Sequence, residues 1–185
     1  MRILRFILIS LMLYAFSQVR GQTYYTKNGT IKLFSETPLE KIDPINKKAV
    51  CVMNIAKGTL GCSVLIKGFK FRNALMQTHF NENYMESGKH PKAHFKAKAI
   101  DLSQIDIEVD GKYQVPLNGI LIVRGIEKPI DIEASFDIRD GKIHGSTSFV
   151  VSPADFDIQI PGIVKDKIAK EILVSVEAQY EPYEK

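Results

Sequence analysis

Apolar and polar residues alternate along most of this chain with a period of two. Between residues 130 and 139, one face carries Ile, Ala and Phe, and the other carries Asp, Glu, Ser and Arg. A period of two places successive side chains on opposite faces of a strand, so the pattern predicts about eight strands, each with one buried face. The other alternating segments are 49–56, 59–67, 93–99, 113–123, 143–151 and 172–180.

Short turn motifs separate these predicted strands. Asp140-Gly141 is the clearest type I′ candidate, Asn28-Gly29 predicts a hairpin, and Asp110-Gly111 predicts a turn. Residues 125–129 predict a longer turn, and residues 36–48, with two prolines, predict a loop that could include a helical turn. Residues 155–161 predict an irregular or extended segment, and residues 163–170 predict one or two helical turns. Because no strand–helix–strand rhythm is present, we expect an antiparallel sheet. Closure into a barrel would remove its exposed edges, and a two-sheet sandwich is the alternative.

Residues 74–86 interrupt the all-β pattern. Apolar side chains recur here at close to helical spacing, and Pro91 then holds His90 in an extended conformation before alternation restarts at Ala93. The segment therefore predicts a short helix, a tight loop and a strand. A helix beside the opening of a barrel would act as a lid.

The predicted inner faces carry many small residues. The pairing around Asp140-Gly141 places Gly145 opposite Phe136 and Thr147 opposite Ala134. Eight strands lie at the boundary where side chains either fill a barrel or leave room for one ligand. The residue pattern alone leaves both outcomes open. The small inner positions are Ala93, Ala97, Ala99, Gly119, Ala134, Gly145, Thr147 and Ala178.

Four segments of the chain resemble the YceI-like family: HFN at His79–Asn81, YMES at Tyr84–Ser87, KHPKAHF at Lys89–Phe95 and GILIVRGIEKPI at Gly119–Ile130. The resemblance covers roughly residues 23–180, and the family usually has His where this chain has Arg124. It implies an exported barrel without enzymatic activity. It also favours a cavity that holds an isoprenoid or a fatty-acyl lipid, with no further cofactor.

Large apolar residues beside the small ones are the predicted wall of this cavity. Each CH₂ group that enters such a wall contributes about 0.8 kcal/mol, so a long hydrocarbon chain needs no polar contact to bind. A barrel acting only as a structural or protein-interaction module is the alternative. The predicted ligand-binding residues are Phe71, Leu75, Phe80, Met85, Phe95, Phe136 and Phe149.

Residues 1–21 have the pattern of a secretory signal peptide. Arg2 and Arg5 precede an apolar run from Ile7 to Phe16, and small residues precede the expected cut before Gln22. The run is short for a membrane anchor. We therefore expect residues 22–185 to form one soluble exported domain in the periplasm, as a monomer or homodimer with at most transient membrane contact.

Charge excludes one class of partner. The net charge of +4 comes from basic residues that are spread along the chain, without the stripe that nucleic acids require. Lys89, Lys92, Lys96 and Lys98 surround the loop after the predicted helix. They would either meet an anionic headgroup or form a solvated strand face, and the outward alternation of Lys96 and Lys98 favours the second interpretation.

The two cysteines lie on adjacent predicted strands. If residue 57 pairs with residue 58 across the turn, Cys51 faces Val64 and Cys62 faces Met53. Diagonal neighbours of this kind are about 7–8 Å apart at Cα, which is long for a disulfide. The expectation is two buried thiols, although a register error of one residue would change it.

Other residues with reactive or metal-binding side chains form no recognised motif. His79, His90 and His94 lie near Glu82 and Glu86, but their spacing matches no zinc signature, so we expect no metal. Asp155 and Asp157 alternate along an extended segment as solvent-facing residues do. The chain contains no nucleophile elbow and no glycine-rich phosphate loop. An enzyme that acts on lipid headgroups is therefore the least favoured hypothesis.

Overall fold

Antiparallel strands form a closed barrel. The computed structural model describes residues 23–98, 101–102 and 105–183. Strand β1 pairs with both β3 and β9, which closes a barrel of eight strands. Among the described residues, the short strand β2 pairs only with the end of β1. The predicted barrel is confirmed, and the sandwich is excluded. The strands are β1 Thr23–Glu36, β2 Lys41–Ile42, β3 Ile45–Asn54, β4 Thr59–Leu65, β5 Lys92–Ala97, β6 Gly111–Val123, β7 Ile126–Arg139, β8 Lys142–Val151 and β9 Ile172–Pro182.

The predicted short helix is also confirmed. Helix α1 covers Ala74–His79 and continues as one wider turn at Phe80–Tyr84. It begins where it does because the Asn73 side chain accepts hydrogen bonds from the backbone N–H groups of Leu75 and Met76. Short 3₁₀ turns lie at Ile66–Gly68, Pro153–Phe156 and Gly162–Lys167. Within the described ranges, none of the helices has the length and apolar composition needed to cross a membrane.

The β7–β8 hairpin agrees with its prediction. Asp140 and Gly141 have φ values of 50° and 69°, as a type I′ turn requires. Its register places Gly145 opposite Phe136 and Thr147 opposite Ala134, as expected.

The turn before β7 is shorter than predicted. Val123 already pairs with Ile126, so Arg124 and Gly125 form a two-residue turn in which both have positive φ. Pro129 lies within β7 opposite Ile120, and the longer turn predicted at residues 125–129 is wrong.

Two other turn predictions are wrong because local side chains stabilise different structures. At Asn28-Gly29 the strand β1 continues through a bulge, where Thr26 Oγ1 accepts a hydrogen bond from the N–H of Asn28. Gly29 allows a close approach of the strands there, since a Cβ atom would lie 3.1 Å from the carbonyl oxygen of Ala49. The turn predicted at Asp110-Gly111 lies earlier, at residues 107–108, because Gly111 already belongs to β6 and the Asp110 carboxylate accepts the N–H of Asp140. Residues 36–48, predicted as a loop, include β2 and the first part of β3.

One end of the barrel is filled by its own side chains. The inward residues at this end form a continuous cluster that includes Met53, Ile138 and Ile143, and the loop between β5 and β6 adds Leu102 and Ile105. A second, smaller cluster lies towards the other end, with Ile31, Val64, Phe69 and Val174 among its members. The space between and above these clusters is the cavity described below.

The two cysteines form a disulfide, which corrects the expectation of free thiols. Cys51 lies directly opposite Cys62, with 4.1 Å between the Cα atoms. The turn contains four residues, 55–58, instead of two, so each strand is displaced by one residue from the predicted register. Asn54 stabilises the longer turn by accepting the N–H of Lys57.

Candidate ligand cavity

A cavity of about 550 Å³ occupies the upper half of the barrel, the end at which helix α1 lies. Its volume is in the usual range for small-molecule sites. The wall follows the inward positions of the strands and is almost entirely apolar. Strands β7, β8 and β9 contribute Ile132, Ala134, Phe136, Gly145, Thr147, Phe149, Val151, Val174, Val176 and Ala178.

All seven residues predicted as ligand-binding line this cavity. Phe80 joins the helix to the barrel, since its ring lies 5.7 Å from that of Phe69 and 4.9 Å from that of Phe71. Met85 is buried at the end of the helical segment, whereas Leu75 is exposed at the mouth. The structure thus brings the seven side chains together, and their role in binding stays a prediction.

The small residues of the inner face divide into two groups. Ala93, Ala134, Gly145, Thr147 and Ala178 line the cavity as expected. Ala97 instead packs in the filled end. A Cβ atom on Gly119 would lie 2.5 Å from the Phe95 ring, so that glycine makes room for an aromatic ring and adds no open space. Ala99 lies outside the described residues.

Three aromatic rings close the bottom of the cavity. Phe95 lies over Gly119, while Phe136 and Tyr180 lie on either side of Gly145, within 3.2 Å and 3.0 Å of the position of a Cβ atom. We call Phe95, Phe136 and Tyr180 the aromatic floor. All three rings line the cavity, whereas the next inward residues below them belong only to the filled end. Burial raises the pKa of the Tyr180 hydroxyl, so it is neutral at physiological pH.

The segment between β8 and β9, residues 152–171, forms a part of the mouth that the sequence pattern did not reveal. Residues 157–161 are irregular, as predicted, and the helical turn predicted within residues 163–170 lies at Gly162–Lys167. The pattern did not show that Ile158, Ile160 and Val164 line the cavity. The segment is held over the barrel because Ala169 donates its N–H to Oγ of Ser35. The alternation of Ile158 and Ile160 could have revealed it. These side chains have no partner strand, so they need another apolar surface to cover them.

Charged groups are few and lie at the mouth. Glu40 and Lys167 are the charged side chains among the described lining residues, with Asn73 and His79 nearby on the rim. The predicted lysine cluster, Lys89, Lys92, Lys96 and Lys98, does not line the cavity. Deeper in the wall, burial lowers the pKa of His94, and the charges of Lys96 and Lys92 lower it further.

Comparison with known proteins shows the family to which the chain belongs. A model of the YceI-like domain matches residues 10–180. The chain belongs to the YceI-like family. No curated protein matches the chain.

Solved structures share the YceI-like fold at low sequence identity. A polyisoprenoid-binding domain from Saccharophagus degradans, implicated in plant cell wall breakdown, is 11% identical, with a TM-score of 0.74 over 88% of this chain and 99% of that one. Burkholderia cenocepacia BcnA is 12% identical, with a TM-score of 0.67 over 83% and 96%. A YceI protein from Campylobacter jejuni is 19% identical, with a TM-score of 0.55 over 75% and 81%.

Arg124 joins three segments of the chain near the mouth. Its guanidinium donates to the carbonyl oxygens of Phe156 and Asp157 and pairs with the Glu86 carboxylate at 3.0 Å. Glu86, Arg124 and Asp157 all have positive φ, between 43° and 53°, which is uncommon for residues other than glycine. We call these groups the Arg124 junction. Lys89 hydrogen-bonds to Glu86 and lowers its pKa, and Arg124 adds to the effect.

The other candidate reactive residues do not form a site. His79 is on the rim, His90 packs beside Gly125 and His94 is in the wall. Among the described residues, no three His, Cys, Asp or Glu side chains are placed to share a metal ion. Asp155 is exposed in a 3₁₀ turn, and Asp157 joins the Arg124 junction through its backbone carbonyl.

Proposed function

We propose that this YceI-like protein is a non-enzymatic binding protein that holds an isoprenoid or fatty-acyl lipid in its barrel. The observation that carries the proposal is the apolar cavity of about 550 Å³, which is closed at one end by the protein core and open at the other. A barrel with a purely structural role would have no need to keep this volume free of side chains.

The wall favours a hydrocarbon chain over water or a polar ligand. Ordered water in a cavity needs several polar partners, and the polar side chains of the wall are few. Thr147 is already satisfied, because its hydroxyl donates to the carbonyl oxygen of Glu133 at 2.7 Å. Each CH₂ group transferred from water to such a wall contributes about 0.8 kcal/mol. A long chain therefore gains most of its affinity from the wall.

The polar end of the ligand belongs at the mouth. Glu40 and Lys167 are of opposite sign, so the described rim favours a neutral or small polar headgroup over a highly charged one. The description of the Saccharophagus domain as polyisoprenoid-binding supports the isoprenoid class. Fatty-acyl lipids remain the second class, because the wall distinguishes only apolar from polar.

The rim also supports transient contact with a membrane. Ile163, Leu39 and Leu75 are the most exposed large apolar side chains among the described residues, at 92%, 67% and 61%. Each is a cavity-lining residue or the direct neighbour of one. We propose that the exported, periplasmic protein, as a monomer or homodimer, presents this rim to a bilayer when it takes up or releases lipid.

Two neighbouring substitutions on β8 test the proposal. Phe149 lines the cavity, and Val150, the next residue, is exposed on the outer face. We expect a C20 isoprenoid alcohol or a C18 fatty alcohol to raise the Tm of the wild type, since a ligand at about 100 times its Kd adds about 2.7 kcal/mol of stability. Phe149→Asp should remove this shift, because it places a carboxylate against the chain, and Val150→Asp should keep it.

Circular dichroism without ligand establishes that each variant is folded. The proposal is wrong if neither alcohol changes the Tm of the wild type. It is also wrong if Phe149→Asp, while folded, shows the same shift as Val150→Asp, since binding would then lie on the outer surface.

A further inference from the structure

The aromatic floor divides the barrel at a defined depth. On β7, the inward residues Ile132, Ala134 and Phe136 line the cavity, but Ile138 does not. On β8 the same change occurs between Gly145 and Ile143. Adjacent strands therefore pass from cavity to core at the same level, because residues 136 and 145 are paired across the sheet.

The floor is closely packed, because its rings occupy spaces left by glycines. Phe136 and Tyr180 approach the Cβ position of Gly145 to 3.2 Å and 3.0 Å, and Phe95 takes the space above Gly119. Phe136 is almost fully buried. Below it, Ile138 and Ile143 are completely buried, so the rings have no free space beneath them into which to move.

The orientation of a bound chain follows from the distribution of polar groups. The charged lining residues are at the mouth, and the floor is aromatic, so the chain enters with its apolar end first and its polar end stays near Glu40 and Lys167. The inward residues of β9 from Ile172 to Tyr180 cover eight steps, or about 26 Å of strand at about 3.3 Å per residue, and less along the tilted barrel axis.

We propose that the aromatic floor acts as a ruler that sets the longest hydrocarbon chain the protein can bury. The inference rests on the proposed function and adds a selection by length to it. A chain that reaches Phe136 has filled the cavity, and any further carbon must remain outside the mouth in water. Affinity should therefore rise with chain length up to a limit and stop rising beyond it.

Two substitutions should move this limit in opposite directions. Phe136→Ala opens the floor, and Phe136→Leu opens it less while retaining more of the packing. Ala134→Leu fills the level immediately above the floor, next to Thr147 on β8. Glu133→Ala, one residue away on the exposed outer face of β7, is the matched control.

The experiment measures the Kd of straight-chain primary alcohols that increase in length by two carbons at a time. For the wild type we expect about a fourfold gain in affinity for each methylene up to the limit, and no gain beyond it. The limit should move by at least one step to longer chains in Phe136→Ala, or in Phe136→Leu if the alanine variant does not fold. It should move to shorter chains in Ala134→Leu and stay unchanged in Glu133→Ala.

The possible outcomes separate the two proposals. If the wild type binds no alcohol of any length, the proposed function fails and the ruler fails with it. If the wild type binds but affinity rises without a limit, or the limit is the same in all folded variants, the ruler alone is wrong. A limit that moves in the two expected directions supports the ruler.

Discussion

At the scale of single residues, two inward-facing glycines differ in whether they leave open space in the barrel. Gly145 and Gly119 both accommodate aromatic rings, yet only Gly145 also borders the cavity. The alternation in the sequence correctly placed both on the inner face. It could not show which glycine is covered, because that depends on the direction of the Phe95 ring across two strands, which a pattern of period two does not contain.

Glu86 gives a prediction about acid stability. Lys89 and Arg124 lower the pKa of its carboxyl below the ordinary value of 4.5, so the folded state favours the charged form. The resulting stability is fully present above the ordinary pKa and is lost as the pH falls through the lower, folded-state value. Glu86→Gln removes this dependence. Its free energy of unfolding should therefore fall less steeply than that of the wild type as the pH falls below about 4.5.

Urea unfolding at a series of pH values between about 6 and 3 gives the slope of the unfolding free energy against pH for the wild type and for Glu86→Gln. The remaining carboxylates titrate in both proteins, so the difference between the slopes reports on Glu86. Glu82→Gln is the matched control, because Glu82 is exposed in the wide helical turn just before Glu86 and takes no part in the Arg124 junction. Equal slopes for the wild type and Glu86→Gln would contradict the role given to this carboxylate.

At the scale of elements, the β3–β4 hairpin shows what a turn motif leaves undetermined. Lys57-Gly58 correctly indicated a turn, but a two-residue and a four-residue turn carry the same glycine signal. The Asn54 side chain, which accepts the N–H of Lys57, selects the longer turn. That choice brings Cys51 opposite Cys62, so one unrecognised hydrogen bond explains the wrong expectation for the cysteines.

This disulfide should be a major source of stability. It closes a short loop, since the two cysteines are 11 residues apart in sequence. A loop of this size stabilises a folded chain by about 2–4 kcal/mol, chiefly by restricting the unfolded state. We expect the double variant Cys51→Ala/Cys62→Ala to lose about this amount in urea unfolding. A reductant should destabilise the wild type similarly and leave the double variant unchanged, whereas equal stability of the two proteins would contradict the prediction.

The segment between β8 and β9 was the part of the fold that was hardest to predict from the sequence. Residues 152–171 have no strand partner and are positioned by the Arg124 junction and by the Ala169–Ser35 hydrogen bond. Both connections join residues that are far apart in sequence. The local pattern therefore indicated an irregular stretch followed by a helical turn correctly, but it could not show that the segment lies over the cavity.

At the scale of the whole molecule, the sequence was sufficient to predict the barrel, the short helix and seven residues of the apolar wall. It left open whether the barrel is filled or hollow, and the structure shows that both descriptions apply to different ends. At one end the β5–β6 loop brings Leu102 and Ile105 into the core, whereas at the other end α1 and residues 152–171 line the cavity without filling it. The number of small inward residues therefore cannot show which end of the barrel is filled and which is hollow.

The central claim is that the open half of the barrel holds an elongated apolar molecule. Native mass spectrometry of the freshly purified mature protein tests it most directly, because a tightly held ligand survives purification and adds its own mass. The account predicts a complex heavier than the polypeptide that releases a lipid on collisional activation, or that forms when a long-chain isoprenoid or fatty alcohol is added. A spectrum showing only the polypeptide, unchanged by either alcohol, would contradict it.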